Sequence, residues 1–454
     1  MKEFDAIFIG AGQAGPFLAA RMASMGRKVA LIERKHLGGT CVNAGCMPTK
    51  TLVASARTAY VARNAAEYGV LLSGEVGIDM KVVRGRAQNV TLDARTGLEN
   101  WFAGLETMSV ISGHGRFEDA RTISVNGERL TAPQIFINVG ARPSIPDYPG
   151  LAGVRYLTST SIIQLDAVPR HLVVIGGSYI GLEFAQMYRR FGAKVTVIER
   201  GSYLASREDQ DISEAIADII RSEGIAVQTD ATGLSFKQAG DEVAVSFNDE
   251  TIVASHVLVA TGRRPNTDDL GLEAVGVETD GEGFIVVDDQ LSTNIQGIWA
   301  LGDCNGRGAF THTSYNDFEI VAANLLDGAN RKVSERIPAY ALYIDPPLGR
   351  VGTTERQARA SGRPVLVSKR PMNRVGRAVE KGETQGFMKI VADAETQQIL
   401  GAAILGIEGD EAIHGIIDAM SARTPYPTLQ LSVPIHPTVS ELLPTLIGDL
   451  KPAL

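Results

Sequence analysis

The strongest constraint on the fold of this chain is that it states one β-α-β pattern twice. The apolar run Phe4-Asp5-Ala6-Ile7-Phe8-Ile9 leads into Gly10-Ala11-Gly12-Gln13-Ala14-Gly15, then a helical stretch, then Val29-Ala30-Leu31-Ile32 closed by Glu33. The order returns as Leu172-Val173-Val174-Ile175, Gly176-Gly177-Ser178-Tyr179-Ile180-Gly181, a helix through Arg190, and Lys194-Val195-Thr196-Val197-Ile198 closed by Glu199. First glycine and closing acid stand 23 positions apart in both copies. A glycine-rich turn alone says little; a strand before it, a helix after it and an acid ending the next strand make a dinucleotide-binding fingerprint. The first glycines allow a tight turn and let a pyrophosphate reach the backbone, where it rests on the unpaired N–H groups of the helix N-terminus. Glu33 and Glu199 would accept hydrogen bonds from ribose hydroxyls. Ser178 replaces the middle glycine of the second copy, and its side chain would hold the phosphate slightly further out.

A further echo follows each unit, as Ile135-Phe136-Ile137-Asn138-Val139-Gly140-Ala141-Arg142-Pro143 and as Val257-Leu258-Val259-Ala260-Thr261-Gly262-Arg263-Arg264-Pro265. Each reads as a strand entering a glycine turn. Two such units predict two dinucleotides and electron transfer between them, where a simple dehydrogenase needs one. The length, 454 residues, fits roughly three domains at about 150 residues each. Lys and Arg number 44 against 52 Asp and Glu, so no basic surplus exists for a phosphate backbone and nucleic-acid binding is not expected. No apolar run reaches the roughly 18 residues of a membrane span, and the first apolar segment starts too early for a signal peptide. A soluble, cytoplasmic protein is the expectation. Three cysteines cannot build a secreted disulfide scaffold.

Two of those cysteines lie in Gly38-Gly39-Thr40-Cys41-Val42-Asn43-Ala44-Gly45-Cys46-Met47-Pro48-Thr49-Lys50. In an ideal helix, positions five apart are roughly 8–9 Å from each other in Cα terms, beyond the ~7 Å limit for a disulfide. Pairing them requires a distorted turn, which Asn43 and Gly45 permit. Lys50 could place a cation near a thiolate formed there.

This stretch resembles the redox-active disulfide segment of the flavoprotein pyridine nucleotide-disulfide oxidoreductases, and the likeness runs through essentially the whole chain. The family includes dihydrolipoamide dehydrogenase, glutathione reductase and mercuric reductase. The resemblance implies an α/β fold with two Rossmann-like domains, for FAD and for NAD(P), plus a C-terminal α+β dimerisation domain. It divides the chain into a discontinuous FAD domain at 1–150 and 279–337, an NAD(P) domain at 151–278 and an interface domain at 338–454. It makes Cys41 the interchange thiol that meets substrate and Cys46 the charge-transfer thiol against the flavin. Lys50 is placed near flavin N5, paired with Glu183, and Tyr179 becomes the gate where nicotinamide enters. The FAD set is Gly10, Gly12, Gly15, Glu33, Gly39, Thr40, Lys50, Gly140 and Asp303, the last from a segment ending Ala300-Leu301-Gly302-Asp303 that resembles the second FAD motif. The nicotinamide dinucleotide set is Gly176, Gly177, Tyr179, Ile180, Gly181, Glu199, Arg200 and Gly262. Cys304, with no cysteine partner, reads as structural. No resident metal is assigned.

Beyond residue 338, Phe387-Met388-Lys389-Ile390-Val391 and Ile399-Leu400-Gly401-Ala402-Ala403-Ile404-Leu405 read as hairpin strands, followed by one amphipathic helix carrying Ala412, Ile413, Ile416, Ile417 and Met420. This region resembles the family's interface domain and implies a homodimer. His436-Pro437-Thr438-Val439-Ser440-Glu441 matches the family segment in which a histidine, oriented by a glutamate, reaches the other subunit's interchange thiol. A histidine titrating near neutral pH suits proton exchange with a thiol.

The implied cycle runs from NADH or NADPH through FAD to the Cys41–Cys46 disulfide, and on to a small disulfide or a metal ion. Glu199 favours NADH through the ribose 2′-hydroxyl, whereas Arg200 and Arg207 could reverse that. Ala20 stands where glutathione reductases carry a glutathione-binding arginine, and Pro434 where dihydrolipoamide dehydrogenases usually have a second histidine. The C-terminal cysteine pair of mercuric reductases is not found in the last residues of this sequence. Overall wording, notably Asp345-Pro346-Pro347-Leu348-Gly349-Arg350-Val351-Gly352, is nearest the mercuric-reductase-like branch, which includes bacterial copper reductases. Two alternatives stay open: a dihydrolipoamide dehydrogenase docked in a multienzyme complex, and a transhydrogenase or oxidase that does not use the cysteines.

Overall fold

A computed structural model describes residues 1–453. Each copy of the repeat forms the centre of its own parallel sheet. The first sheet runs in the order Ile298–Ala300, Gln134–Ile137, Ala6–Ile9, Val29–Glu33, Met108–Ser112. The second runs Ala226–Gln228, Lys194–Ile198, His171–Ile175, His256–Val259. Parallel sheets covered on both faces need near-continuous apolar strands, and Ala6–Ile9 is buried at every position.

The sequence echoes have a structural meaning. Gln134–Ile137 and His256–Val259 are the strands that flank the two glycine turns on the side away from the closing acids. Gly10 takes φ +95° and a Cβ there would meet the Asn138 carbonyl oxygen at 2.3 Å; Gly176 takes φ +110° and a Cβ would meet the Ala260 carbonyl oxygen at 2.5 Å. Both turns thus need glycine for the same two reasons, conformation and space. The echo tails then pair with each other, Ala141–Pro143 antiparallel to Arg263–Pro265, and tie the two halves together.

The C-terminal part is a different architecture. Six antiparallel strands run in the order Ala339–Leu342, Leu348–Gly352, Ile399–Leu405, Phe387–Asp393, Val365–Pro371, Lys451–Pro452. The amphipathic stretch after residue 408 forms two helices, Gly409–Ala412 and His414–Ser421, rather than one. Glu408 enters them with φ +55°, and Ile413 joins them. Among the described residues no helix is long and apolar enough to cross a membrane.

Candidate active site

The glycine turns of both sheets open on one cleft of about 2910 Å³. Gly10, Gly12, Glu33, Gly39, Thr40, Gly140 and Asp303 line it, as do Gly176, Tyr179, Ile180, Glu199, Arg200 and Gly262, and Cys41, Cys46, Lys50 and Glu183 line the same cavity. Gly15, Gly177 and Gly181 do not line it. They pack beneath: a Cβ on Gly181 would meet the Gly176 carbonyl oxygen at 2.0 Å, so this glycine sets the distance between helix and strand. His436 and Glu441 lie elsewhere on the chain's surface.

The two closing acids, expected to meet ribose hydroxyls, hold backbone N–H groups of their own turns. Glu33 accepts from the Ala11 N–H at 2.8 Å and the Lys35 N–H at 2.7 Å. Glu199 accepts from the Gly177 N–H at 2.7 Å and the Gly201 N–H at 2.8 Å. Each carboxylate therefore pins its own glycine turn before any ligand binds, and each oxygen keeps a second lone pair. Asn138, not anticipated from the sequence, acts on the first turn from behind: its Oδ1 accepts from the Gly15 N–H at 3.0 Å while its Nδ2 donates to the Leu301 carbonyl at 2.8 Å. Both partners are buried backbone groups that would otherwise cost about 1–3 kcal/mol each. The signal along the chain is an amide directly after the apolar strand Gln134–Ile137.

The cysteine segment is two helices broken at one residue. Gly39–Ala44 carries Cys41, Cys46–Arg63 begins at Cys46, and Gly45 between them has φ −127° and ψ −121°. The distortion belongs to Gly45 alone. Asn43 stays helical and works through its side chain, donating to the Leu37 and Gly39 carbonyls at 2.8 and 2.9 Å. Both cysteines are free thiols here.

The break places Cys46 at the head of an 18-residue helix, with Thr311, the head of the helix Thr311–Leu326, at 3.2 Å from its sulfur. Two helix N-termini thus converge on one thiol, an arrangement that favours the anion. The hydrogen bond from the Cys41 thiol is the largest influence; the Thr311 hydroxyl and the Lys50 charge add to it, burial opposes, and Cys46 is lowered to about 6. Cys41 moves the other way, held well above the ordinary thiol range by its hydrogen bond to Cys46, by burial and by the neighbouring charge. The pair therefore loses its first proton near pH 6 and keeps the second. Thr311→Val should raise that first midpoint by roughly half a unit to one unit, read from thiolate ultraviolet absorbance of the reduced protein against pH. An unchanged midpoint would remove Thr311 from the site.

Lys50 Nζ donates to Glu183 Oε2 at 2.7 Å and lies 4.5 Å from the centre of the Tyr343 ring, while Glu183 Oε1 accepts from the Tyr343 N–H at 3.0 Å. The lysine is thereby held pointing along the cleft wall instead of into solvent. Burial raises the Asp303 carboxyl, partly offset by Arg263 at 3.8 Å. Cys304 is fully buried, its thiol directed at the Leu301 and Ile137 carbonyls and pushed up to about 12 by burial, as an inert core residue should be. His436 Nδ1 is 2.8 Å from Glu441 Oε2, with the histidine side chain 79% exposed in the single chain.

Comparison with known proteins gives this arrangement a class. The family profile for pyridine nucleotide-disulphide oxidoreductase matches residues 4–317, and the profile for the dimerisation domain of the same family matches residues 338–447. The chain belongs to this family of flavin- and nicotinamide-dependent enzymes. A probable pyridine nucleotide-disulfide oxidoreductase of Escherichia coli K12, RclA, is 34% identical over 99% of this chain and 100% of its own length. A mercuric reductase of Bacillus cereus is 35% identical over 91% of this chain and 66% of its own. The solved Cu(II) complex of the HOCl-induced flavoprotein disulfide reductase RclA from Escherichia coli matches with a TM-score of 0.90 at 34% identity, covering 98% of this chain and 99% of that one.

Proposed function

We propose that the chain is an FAD-dependent NAD(P)H oxidoreductase that passes electrons to the Cys41–Cys46 disulfide and from there to a small disulfide or a soft metal ion. The observation that carries this reading is the cysteine pair lining the same cleft as the two dinucleotide turns, with one sulfur's proton made easy to lose and the other's hard. The Gly10 turn, with Asn138 and Glu33 bracing it, fits the pyrophosphate of FAD, and Asp303 fits its ribitol chain. When bound, FAD supplies hydride acceptance from nicotinamide and delivery of an electron pair to a disulfide.

The chain's own residues divide the remaining work. Lys50, fixed by Glu183, keeps a positive charge beside the Cys46 sulfur, which stays a thiolate at neutral pH. Cys41, half-buried on the cleft wall, gives its proton to His436 of the partner subunit as its sulfur attacks one sulfur of a small disulfide, and the histidine returns that proton to the departing thiolate. The Cys46 thiolate then attacks the Cys41 sulfur, which restores the intramolecular disulfide and releases the second thiolate to take a proton from solvent. With a soft metal ion, both sulfurs would bind it, Cys41 losing its proton to His436 of the partner subunit, and the pair closes to the disulfide as two electrons pass to the metal, either to one divalent ion or one each to two. The names of the relatives favour metal ions among the acceptors, since one is a mercuric reductase and another is solved as a Cu(II) complex. Leu431, Val433 and Ile435, 82%, 95% and 79% exposed, lead into His436 and fit a surface covered by a second subunit.

The direct test is anaerobic titration of the purified holoenzyme with NADH and with NADPH. A long-wavelength thiolate-to-flavin band after two electrons is expected, with NADH the better donor because Glu199 holds a fixed negative charge where a 2′-phosphate would sit. Glu199→Gln, which keeps an acceptor for the backbone N–H groups, should shift the NADH to NADPH ratio of kcat/KM by about tenfold toward NADPH. Bleaching without the band would turn the assignment to a transhydrogenase or oxidase.

A further inference from the structure

Tyr179 does not sit free at the cleft. Its hydroxyl donates to Glu208 Oε1 at 2.8 Å, and the Tyr340 hydroxyl donates to the same oxygen at 2.7 Å. Glu208 and the facing Arg350 are each 1% exposed, with Arg350 Nε 3.8 Å from Glu208 Oε2. That oxygen and all three guanidinium nitrogens have no hydrogen-bond partner. A fully buried arginine so poorly satisfied is costly, and what retains it is the charge opposite.

The sheet register explains its place. Arg350 pairs with Tyr340 on one side and Ala403 on the other; Ala403 pairs with Lys389, and Lys389 with Lys369. One face of the C-terminal sheet therefore presents a row of three cations beside Tyr340. Glu208, Asp209 and Asp211 of the nucleotide-binding half answer it: Lys389 Nζ lies 3.4 Å from Asp209 and 3.1 Å from Asp211, and Lys369 Nζ 3.0 Å from Asp211. The acidic segment is thus anchored to the C-terminal domain, and Tyr179, on the cleft wall, is hydrogen-bonded to its first residue.

We propose that Glu208 is a positioning residue that latches Tyr179 closed, so that nicotinamide binding must break the Tyr179–Glu208 hydrogen bond. The latch rests on the reading of Tyr179 as the nicotinamide gate. It makes the anchored anion, and through it the C-terminal domain, a determinant of nicotinamide affinity rather than only of domain packing.

Calorimetric titration of the oxidised holoenzyme with NAD+ tests it without turnover. Tyr179→Phe keeps the ring and removes the bond to a charged acceptor, so the NAD+ dissociation constant should fall about tenfold. Glu208→Gln should lower it less, and the double variant no further than Tyr179→Phe, because both act through one bond. Since Glu208→Gln also strips the anion facing Arg350 and can cost folding, Tyr179→Phe carries the test. An unchanged constant in Tyr179→Phe, or additive effects, overturns the latch. So does an equal fall in Tyr340→Phe, which removes a comparable bond to the same oxygen and would mark a purely structural cluster. Tyr179→Ala separates the two readings: a changed constant there with none in Tyr179→Phe sinks the latch and leaves the gate, whereas no change in either sinks the gate itself.

Discussion

Cys41→Ser is expected to lower turnover with a small aromatic disulfide by at least about a thousandfold, while anaerobic reduction by NADH still goes to completion. The serine hydroxyl cannot form the mixed disulfide through which exchange proceeds, and no neighbouring group replaces it. The same variant carries a sharper signature. With no partner sulfur, Cys46 cannot be oxidised to the intramolecular disulfide, so its thiolate persists in the oxidised enzyme. The long-wavelength band should be present before any reductant is added and should disappear on acidification, because protonation removes the donor. Cys46→Ser should lose turnover to a similar degree and show no band at any pH. Were the band to appear in Cys46→Ser instead, the roles of the two sulfurs would be exchanged; were both variants to retain turnover, the cysteines would lie outside the electron path.

The second large effect is expected at His436. Removing a positioned acid and base costs about 10²–10⁴-fold, so His436→Gln should depress disulfide turnover by that order and leave reduction by NADH unaffected. Glu441→Gln, which keeps a hydrogen-bonding partner for the ring but removes its charge, should cost less, about tenfold. Within one chain His436 does not line the cleft that holds Cys41, so the proposed role calls for the histidine of the partner subunit. Mixed dimers test this. Co-expression of Cys41→Ser with His436→Gln chains places both lesions in one site and leaves the other site intact, so two inactive parents should yield about a quarter of full activity in a random mixture. If each histidine served its own chain's cysteines, every mixed site would carry one lesion and no activity would return.

How much of this was legible in the sequence differs by residue. The glycine turns were readable because their demands are local: a left-handed φ at Gly10 and Gly176, an apolar strand before each and a helix after it are properties of neighbours along the chain. Glu33 and Glu199 were found by spacing, but their hold on the Ala11, Lys35, Gly177 and Gly201 N–H groups was not, since nothing in the spacing tells a ligand contact from a turn brace. The cysteine turn was anticipated as a distortion, yet its location at Gly45, with Asn43 helical, depended on a Cβ at Gly45 meeting the Thr40 carbonyl oxygen at 2.8 Å. The single helix expected over Ala412 to Met420 is instead divided at Ile413, while Glu408, with φ +55°, sets only where the first piece starts.

The sequence by itself therefore determined the class of fold, the two dinucleotide turns, the cysteine pair and the pairing of a histidine with an acid five residues on, because each is a pattern of short range repeated at fixed intervals. Only the tertiary structure decided the state of those groups. Thr311 reaches Cys46 across 265 residues, Glu183 reaches Lys50 across 133 and Tyr340 reaches Glu208 across 132. Acidity, orientation and anchoring at this site come from charges and hydrogen bonds that act through space, and no periodicity along a chain encodes which distant side chains a fold will bring within hydrogen-bonding distance of each other.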